Sequence, residues 1–163
     1  MIQYPEMQVF LPLRPHSLNK EYFTYELIDI FTEIRIMEMI TVDIIKKFLS
    51  DNVIEIKSTH NRLSVPVINR IYKKMRLGID FSGIKVENGL ICDGHHRYLA
   101  SLIANYDIDR IPYRATSATM VIDWNDVVFD HEDWDTEAKI RMLNEQDAQY
   151  NKIAIEKLNQ LLK

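Results

Sequence analysis

Cysteine occurs once in these 163 residues, glycine four times and proline five times. The lone Cys92 excludes an internal disulfide and a cysteine-built zinc site. No apolar run is long enough to span a bilayer, and the opening MIQYPEMQVFLPLRP lacks the basic start and apolar centre of a secretory signal. A cytoplasmic chain with no membrane partner is expected. A formal net charge of −4 argues against a protein whose main work is coating duplex DNA, although a local basic groove stays open. Repeats and low-complexity linkers are also missing.

At 47% apolar and 27% charged residues, the chain has the composition of one globular domain with a true core. The hydrophobic period changes several times, which predicts a mixed α/β fold rather than a bundle or a sandwich. Residues 1–39 read as a helical extension, 40–120 as the core, and 121–163 as an acidic loop followed by a C-terminal helix. In KEYFTYELIDIFTEIRIME (20–38), Phe23, Leu27, Ile30, Phe31, Ile34 and Met37 recur at helical spacing. ITVDII (40–45) fits a helix or a β-branched strand, and VIEI (53–56) shares that ambiguity. SVPVINRIYKKMRL (64–77) predicts a helix with Ser64 as cap, Pro66 in its first turn and Gly78 as its end. In IKVENGLIC (84–92), Asn88-Gly89 between alternating apolar residues predicts a tight hairpin, because both residues tolerate positive φ.

The second hairpin strand runs into DGHHRYLA (93–100), where polar, titratable groups crowd between apolar runs. From Tyr98 to Tyr106 the pattern is helical, with Leu99, Leu102, Ile103 and Tyr106 as a stripe. Asp93 reads as the N-cap of a helix at 94–106, and Gly94 as a point of close approach. At about 100° per residue His95 and His96 flank the core side, while Arg97 points away. Free amides and the positive end of the helix dipole then meet two imidazoles able to switch charge near neutral pH, a setting that favours a phosphate. The plain alternative is a capped helix with two polar residues in its first turn.

A hairpin strand ending in DGHHRYLA, preceded by a helix and Gly-Ile-Lys-Val and followed by IPYRA (111–115), resembles the ParB/sulfiredoxin superfamily over roughly residues 40–120. The resemblance implies a mixed sheet with flanking helices and a nucleotide phosphate site at the strand-to-helix turn. Members of that superfamily include CTP-hydrolysing partition clamps, ATP-dependent sulfiredoxins, a free-serine kinase and ParB-like nuclease domains, some of them within bacterial toxins. The spelling DGHHRYLAS is closest to the last group. The reactive cysteine of sulfiredoxins is replaced here by His95, so the reductase reaction does not carry over; Cys92 reads as an inert thiol facing the interior. The Gly-Glu-Arg-Arg type box and helix-turn-helix of partition clamps are missing as well.

The resemblance implies phosphate contacts from Gly94, His95, His96 and Arg97, and places Ser58, Thr59, His60 and Asn61 where a first phosphate-facing loop would fall. Catalytic candidates are His95, His96 and Asp93, with Asp93 assigned to capping or to holding a histidine tautomer. Asp43 and Glu55 are candidate bases, against the ordinary fate of a structural ion pair. The implied ligand is a nucleoside tri- or diphosphate, ATP or CTP, with Mg²⁺ as an optional companion; no protein metal site is assigned. The run DWNDVVFDHEDWD (123–135) reads as a hydrated loop pinned by Trp124 and Trp134. From Thr136 one amphipathic helix is expected, with Ile140, Leu143, Tyr150, Ala154, Leu158 and Leu161 on a drifting stripe.

Three function classes remain at this level: an NTP-dependent phosphotransferase or NTPase, a nuclease using the paired histidines as base and phosphorane stabiliser, and a non-catalytic binding module. Nucleic acid, a small molecule or a protein are the candidate acceptors, and the oligomeric state is left open. Replacing His95 or His96 with Asn is expected to weaken anion binding while leaving the melting temperature nearly unchanged.

Overall fold

The computed structural model describes residues 39–116 and 119–163, and the helix expected over 20–38 lies outside them. Residues 39–163 form one compact unit. It is a mixed α/β fold. Helix α1 spans Val42–Asp51, with the Thr41 hydroxyl accepting from Ile44 N and with Ile45 and Leu49 buried one turn apart. ITVDII therefore resolves as a cap and the start of a helix. VIEI, by contrast, is irregular chain leading into Lys57 and Ser58, which bridge to Leu90 and Ile122 respectively.

Strand β1 (Arg62–Ser64) passes directly into α2 (Val65–Arg76), capped by the Ser64 side chain with proline in its first turn, as its sequence predicts. Gly78 follows the helix with φ 75°, the left-handed geometry that a helix end exploits. Next, β2 (Ile84–Glu87) and β3 (Leu90–Asp93) form the expected hairpin, with Asn88 at φ 47° and Gly89 at φ 75° as a tight turn requires. Helix α3 (His95–Ala104) crosses to β4 (Arg110–Pro112), which lies parallel to β2. The sheet order is β3-β2-β4, and the Lys57 bridge continues it beyond β3. A second, two-stranded sheet joins β1 in parallel to β5 (Val128–Asp130).

The core lies between the sheet and the two helices. Ile84 and Ile91 of the hairpin, Leu99 of α3, and Ile68 and Met75 of α2 are buried in one cluster. Burying side chains of this size contributes roughly 1.5–3 kcal/mol each. Alternation along β3 places Cys92 on the other side of the strand from Ile91; it is half-buried, not interior. Burial, helped by the Glu87 carboxylate, still raises its thiol pKa, which suppresses the reactive thiolate.

The C-terminal segment is two helices where its pattern predicts one: α4 (Glu137–Tyr150) and α5 (Ile155–Leu161). Lys152 takes φ 54° between them. The break is fixed by tertiary bonds, because Asp80 N donates to Asn151 Oδ1 at 2.7 Å and Asn151 Nδ2 donates to Asp80 O at 3.0 Å. The expected stripe is accordingly disrupted: Leu158 and Ala148 are buried with Ile79, whereas Tyr150 and Leu161 are exposed. Among the described residues, no helix is long and apolar enough to cross a membrane.

Candidate functional site

Helix α3 is capped by Gly94 and not by Asp93, and its first turn receives no side-chain cap at all. The hairpin explains the shift. A register irregularity between Lys85 and Val86 sets Asp93 opposite Lys85, so the strand runs one residue further and uses Asp93 as its last member. The Asp93 carboxylate lies 3.5 Å from Lys85 Nζ and 3.7 Å from Arg97 Nη2. Gly94 then turns at φ 94°, where a Cβ would sit 2.8 Å from Ile84 Cγ2 and 3.0 Å from Arg97 Nη2. Conformation and space both demand glycine. Gly94→Ala is expected to cost about 2–3 kcal/mol through backbone strain and the Ile84 clash; equal urea midpoints for variant and parent would contradict that.

The imidazoles are set differently from one another. His95 is buried, 2% exposed, and its Nε2 accepts from Thr59 N at 3.1 Å with Thr59 Oγ1 3.0 Å away. His96 is half-buried, its Nε2 accepts from Ser64 N at 3.0 Å, and its ring meets the Trp134 edge at 5.4 Å. Each bond occupies the basic nitrogen, which fixes the hydrogen on Nδ1. Burial, reinforced by the neighbouring His60 and His96 and opposed by Asp93, pushes His95 down to about 3. Burial and His60 push His96 down to about 4, with Asp135 opposing and Arg70 and Lys139 assisting. Both rings are neutral at pH 7, so the expected charge switch near neutrality is not present in this fold. Their bonds tie the Thr59 loop and the β1–α2 junction to the mouth of α3. The expectation that an Asn exchange leaves stability untouched falls with this, since the shorter side chain cannot reach those amides.

Arg97 folds back over Gly94 and donates from Nη1 to Ser82 Oγ at 2.5 Å, instead of pointing away. In the 58–61 loop, Ser58 is buried and its hydroxyl donates to His60 O at 2.7 Å. Thr59 Oγ1 donates to Ile91 O at 2.6 Å, anchoring the loop to β3. His60 stacks flat on His95, with centroids 3.9 Å apart and planes 9° apart, and its ring is exposed. Asn61 holds β5 through its carbonyl, which accepts from Val128 N at 2.8 Å. Asp43 is exposed in the first turn of α1, and Glu55 is exposed 3.5 Å from both terminal nitrogens of Arg110. Neither joins the DGHHR turn.

The turn opens into a cleft of about 510 Å³ between α2, α4 and the hairpin, which His60, Asp93, Gly94, His95, His96 and Arg97 all line. Ser58, Thr59, Asn61, Asp43 and Glu55 do not line it. The cleft also contains residues that sequence reasoning passed over: Arg70 and Lys74 on α2, and Lys139 on α4. Arg70 pairs with Asp133 and, at 2.5 Å, with Asp135. Lys139 holds the other Asp135 oxygen at 2.6 Å, and Lys74 pairs with Asp147 at 2.5 Å. Hydrogen bonding to Arg70 lowers the Asp133 pKa; the Asp135 pKa is also lowered, its burial being outweighed by Lys139 and Arg70.

The acidic loop is hydrated over most of its length, with Asn125, Asp126, His131, Glu132 and Asp133 exposed, while ion pairs tie Asp123, Asp130, Asp133 and Asp135 to neighbouring elements. Trp124 is buried and donates to Ile56 O at 2.7 Å, but Trp134 is 46% exposed; the distal half of the loop is held by Asp133 and Asp135 on Arg70 and by the Glu132 carbonyl, which accepts from Ser64 Oγ at 2.8 Å. Among the described residues, no group of three or more His, Cys, Asp or Glu has the geometry to hold a metal ion. Comparison with protein-family models, with curated proteins and with solved structures gives no match.

Proposed function

We propose that this chain is a nucleotide-binding domain of the ParB/sulfiredoxin kind that receives a phosphate at the first turn of α3 and uses it in NTP-dependent phosphoryl transfer or NTP hydrolysis. The observation that carries the reading is the helix mouth: α3 begins at a left-handed glycine without a side-chain cap and faces a cleft. The amides of His95, His96 and Arg97 precede the first intrahelical bond, from Tyr98 N to Gly94 O at 2.9 Å, and such amides bind anions. Arg97 supplies the adjacent positive charge. His95 and His96 position the two segments beside the turn, and His60 is the exposed one of the three imidazoles that line the cleft. Any Mg²⁺ enters with the nucleotide, and a cytoplasmic setting belongs to the same reading.

A second reading, a non-catalytic binding module, is favoured by one observation. The Nε2 atoms of His95 and His96 are both occupied, and Asp43 and Glu55 stand away from the cleft. The nuclease reading has less support, because it needs those same imidazoles as base and stabiliser.

A thermal-shift screen with ATP, ADP, CTP and GTP, with and without Mg²⁺, tests the proposal. At a hundredfold excess over Kd, stabilisation of about 2.7 kcal/mol is expected for the correct nucleotide. No shift with any of them at millimolar concentration would overturn nucleotide binding. A shift without product formation would select the module over the enzyme.

A further inference from the structure

Two exposed aromatic rings line the cleft, and each rests on one of the paired histidines. His60 lies flat on His95 with centroids 3.9 Å apart, so its exposure falls on the opposite face and the ring edges. The Ser58 hydroxyl holds its backbone, accepting from His60 N at 3.1 Å and donating to His60 O at 2.7 Å, and Thr59 N pins the His95 ring beneath. Trp134 meets His96 at 83°, an edge contact that covers at most one face of the indole. It keeps 46% exposure although the ion pairs of Asp133 and Asp135 already hold its loop. Val67 and Ile71 of α2 and Ile140 and Leu143 of α4 supply an apolar wall. The lining holds four cations and four aspartates, and Arg70, Lys74, Arg97 and Lys139 each have a carboxylate no farther than 3.7 Å away. Away from the α3 turn the cleft therefore offers apolar and π surface rather than net charge.

We infer that His60 and Trp134 are the stacking surfaces of a base subsite, which receives the flat, uncharged heterocycle of a nucleoside against the apolar wall. The inference rests on the nucleotide reading and adds the part of the site that holds the base; it does not draw on the α3 amides. A cleft of about 510 Å³ has the size of a small-molecule site, and its mixture of apolar wall and a few fixed polar groups is the usual one. Both rings are set in place before a ligand arrives, which lowers the ordering cost of stacking on them. Because every base has a π-face, such a subsite separates aromatic from non-aromatic ligands more sharply than one base from another.

Titration calorimetry with adenosine, cytidine, ATP, CTP and tripolyphosphate, all with Mg²⁺, measures this directly. Both nucleosides are expected to bind the parent at millimolar concentration. Removing one ring by His60→Ala or Trp134→Ala should weaken nucleosides and nucleotides alike by about tenfold, and leave tripolyphosphate unaffected. His60→Phe and Trp134→Phe keep a π-face and should stay within about threefold of the parent. Should His60→Ala fail to fold, the Trp134 variants and the parent series still decide. Nucleosides that do not bind the parent, or ATP and CTP affinities unchanged in both alanine variants, overturn the inference and leave nucleotide binding standing. Equal losses in the alanine and phenylalanine variants overturn it as well, because stacking would not then be the source of the affinity. Nucleosides that bind as tightly as ATP and CTP, and that weaken in the alanine variants, uphold the base subsite and overturn the phosphate part of the proposed function. Failure of every probe overturns both.

Discussion

Lowering the pH from 7.5 to 5 is expected to remove about 4 kcal/mol of folding stability, roughly 2 kcal/mol from each of His95 and His96. The unfolded imidazole titrates near 6.5, whereas the folded rings are held at about 3 and about 4. Over the interval the unfolded chain binds protons that the folded chain refuses. The contribution is therefore complete above pH 6.5 and falls away as pH drops toward the folded values. The cause is structural: a proton on Nε2 would eject the Thr59 or Ser64 amide and place a buried charge beside the positive end of α3. The carboxylates with lowered pKa, Asp133 and Asp135 among them, lose their contribution only as pH falls below the ordinary carboxylate range near 4. The two windows are separable.

Urea unfolding at pH 7.5, 6 and 5 gives the slope. His96→Gln should reduce it by about half, because an amide oxygen can accept from Ser64 N without titrating in this range. A parent whose stability is level down to pH 5 would show that the rings are not held neutral by burial. With total stabilities of about 5–15 kcal/mol for ordinary domains, the loss brings the fold close to its limit under mild acid.

The part of this fold that its sequence specifies most clearly is the part whose causes are local. Asn88-Gly89 needs no distant partner to take positive φ, and Ser64 with Pro66 starts a helix by contacts within one turn. Asp93 was misplaced because its state depends on ladder register, and the irregularity at Lys85/Val86 leaves no mark in composition. The break at Asn151–Ala154 is likewise set by bonds to Asp80, 71 residues away. Ambiguity over 53–56 has the same origin, since chain that is neither helix nor strand is held by Ile56 in the core and by the neighbouring bridges.

The candidate site divides along the same line. DGHHR is legible as a motif because strand, turn and helix adjoin in sequence. Arg70 and Lys74 escaped notice because helix periodicity explains them equally well as solvated cations on α2, and their partners Asp135 and Asp147 lie 65 and 73 residues downstream. The signal that a close reader could have used is the matching acidic run in a chain of this size, where unlike charges on separate elements commonly meet. The histidines show the converse. Their prominence suggested chemistry, but it is their depth, knowable only from packing, that makes them ties between segments.

The largest single-residue effect follows from the Lys74–Asp147 pair. Lys74 is 5% exposed, its Nζ donates to Asp147 Oδ2 at 2.5 Å, and the contact joins α2 to α4 across the cleft. Removing one member of a buried pair strands the other charge in a weakly polar setting, at a cost of about 3–5 kcal/mol. Asp147→Asn should therefore lower stability by about 3 kcal/mol, toward the smaller end because the Asp147 side chain keeps 21% exposure and lets water assist. Asp147→Leu combined with Lys74→Met should recover most of that loss, since the second exchange removes the stranded ammonium and both fill space beside Ile71 and Leu143 of the apolar wall. Urea midpoints of the parent, the single variant and the double variant decide the matter. A double variant as unstable as Asp147→Asn would mean that the packing of α4 on α2, and not the stranded charge, sets the cost; a single variant as stable as the parent would mean that the ammonium reaches water without its partner.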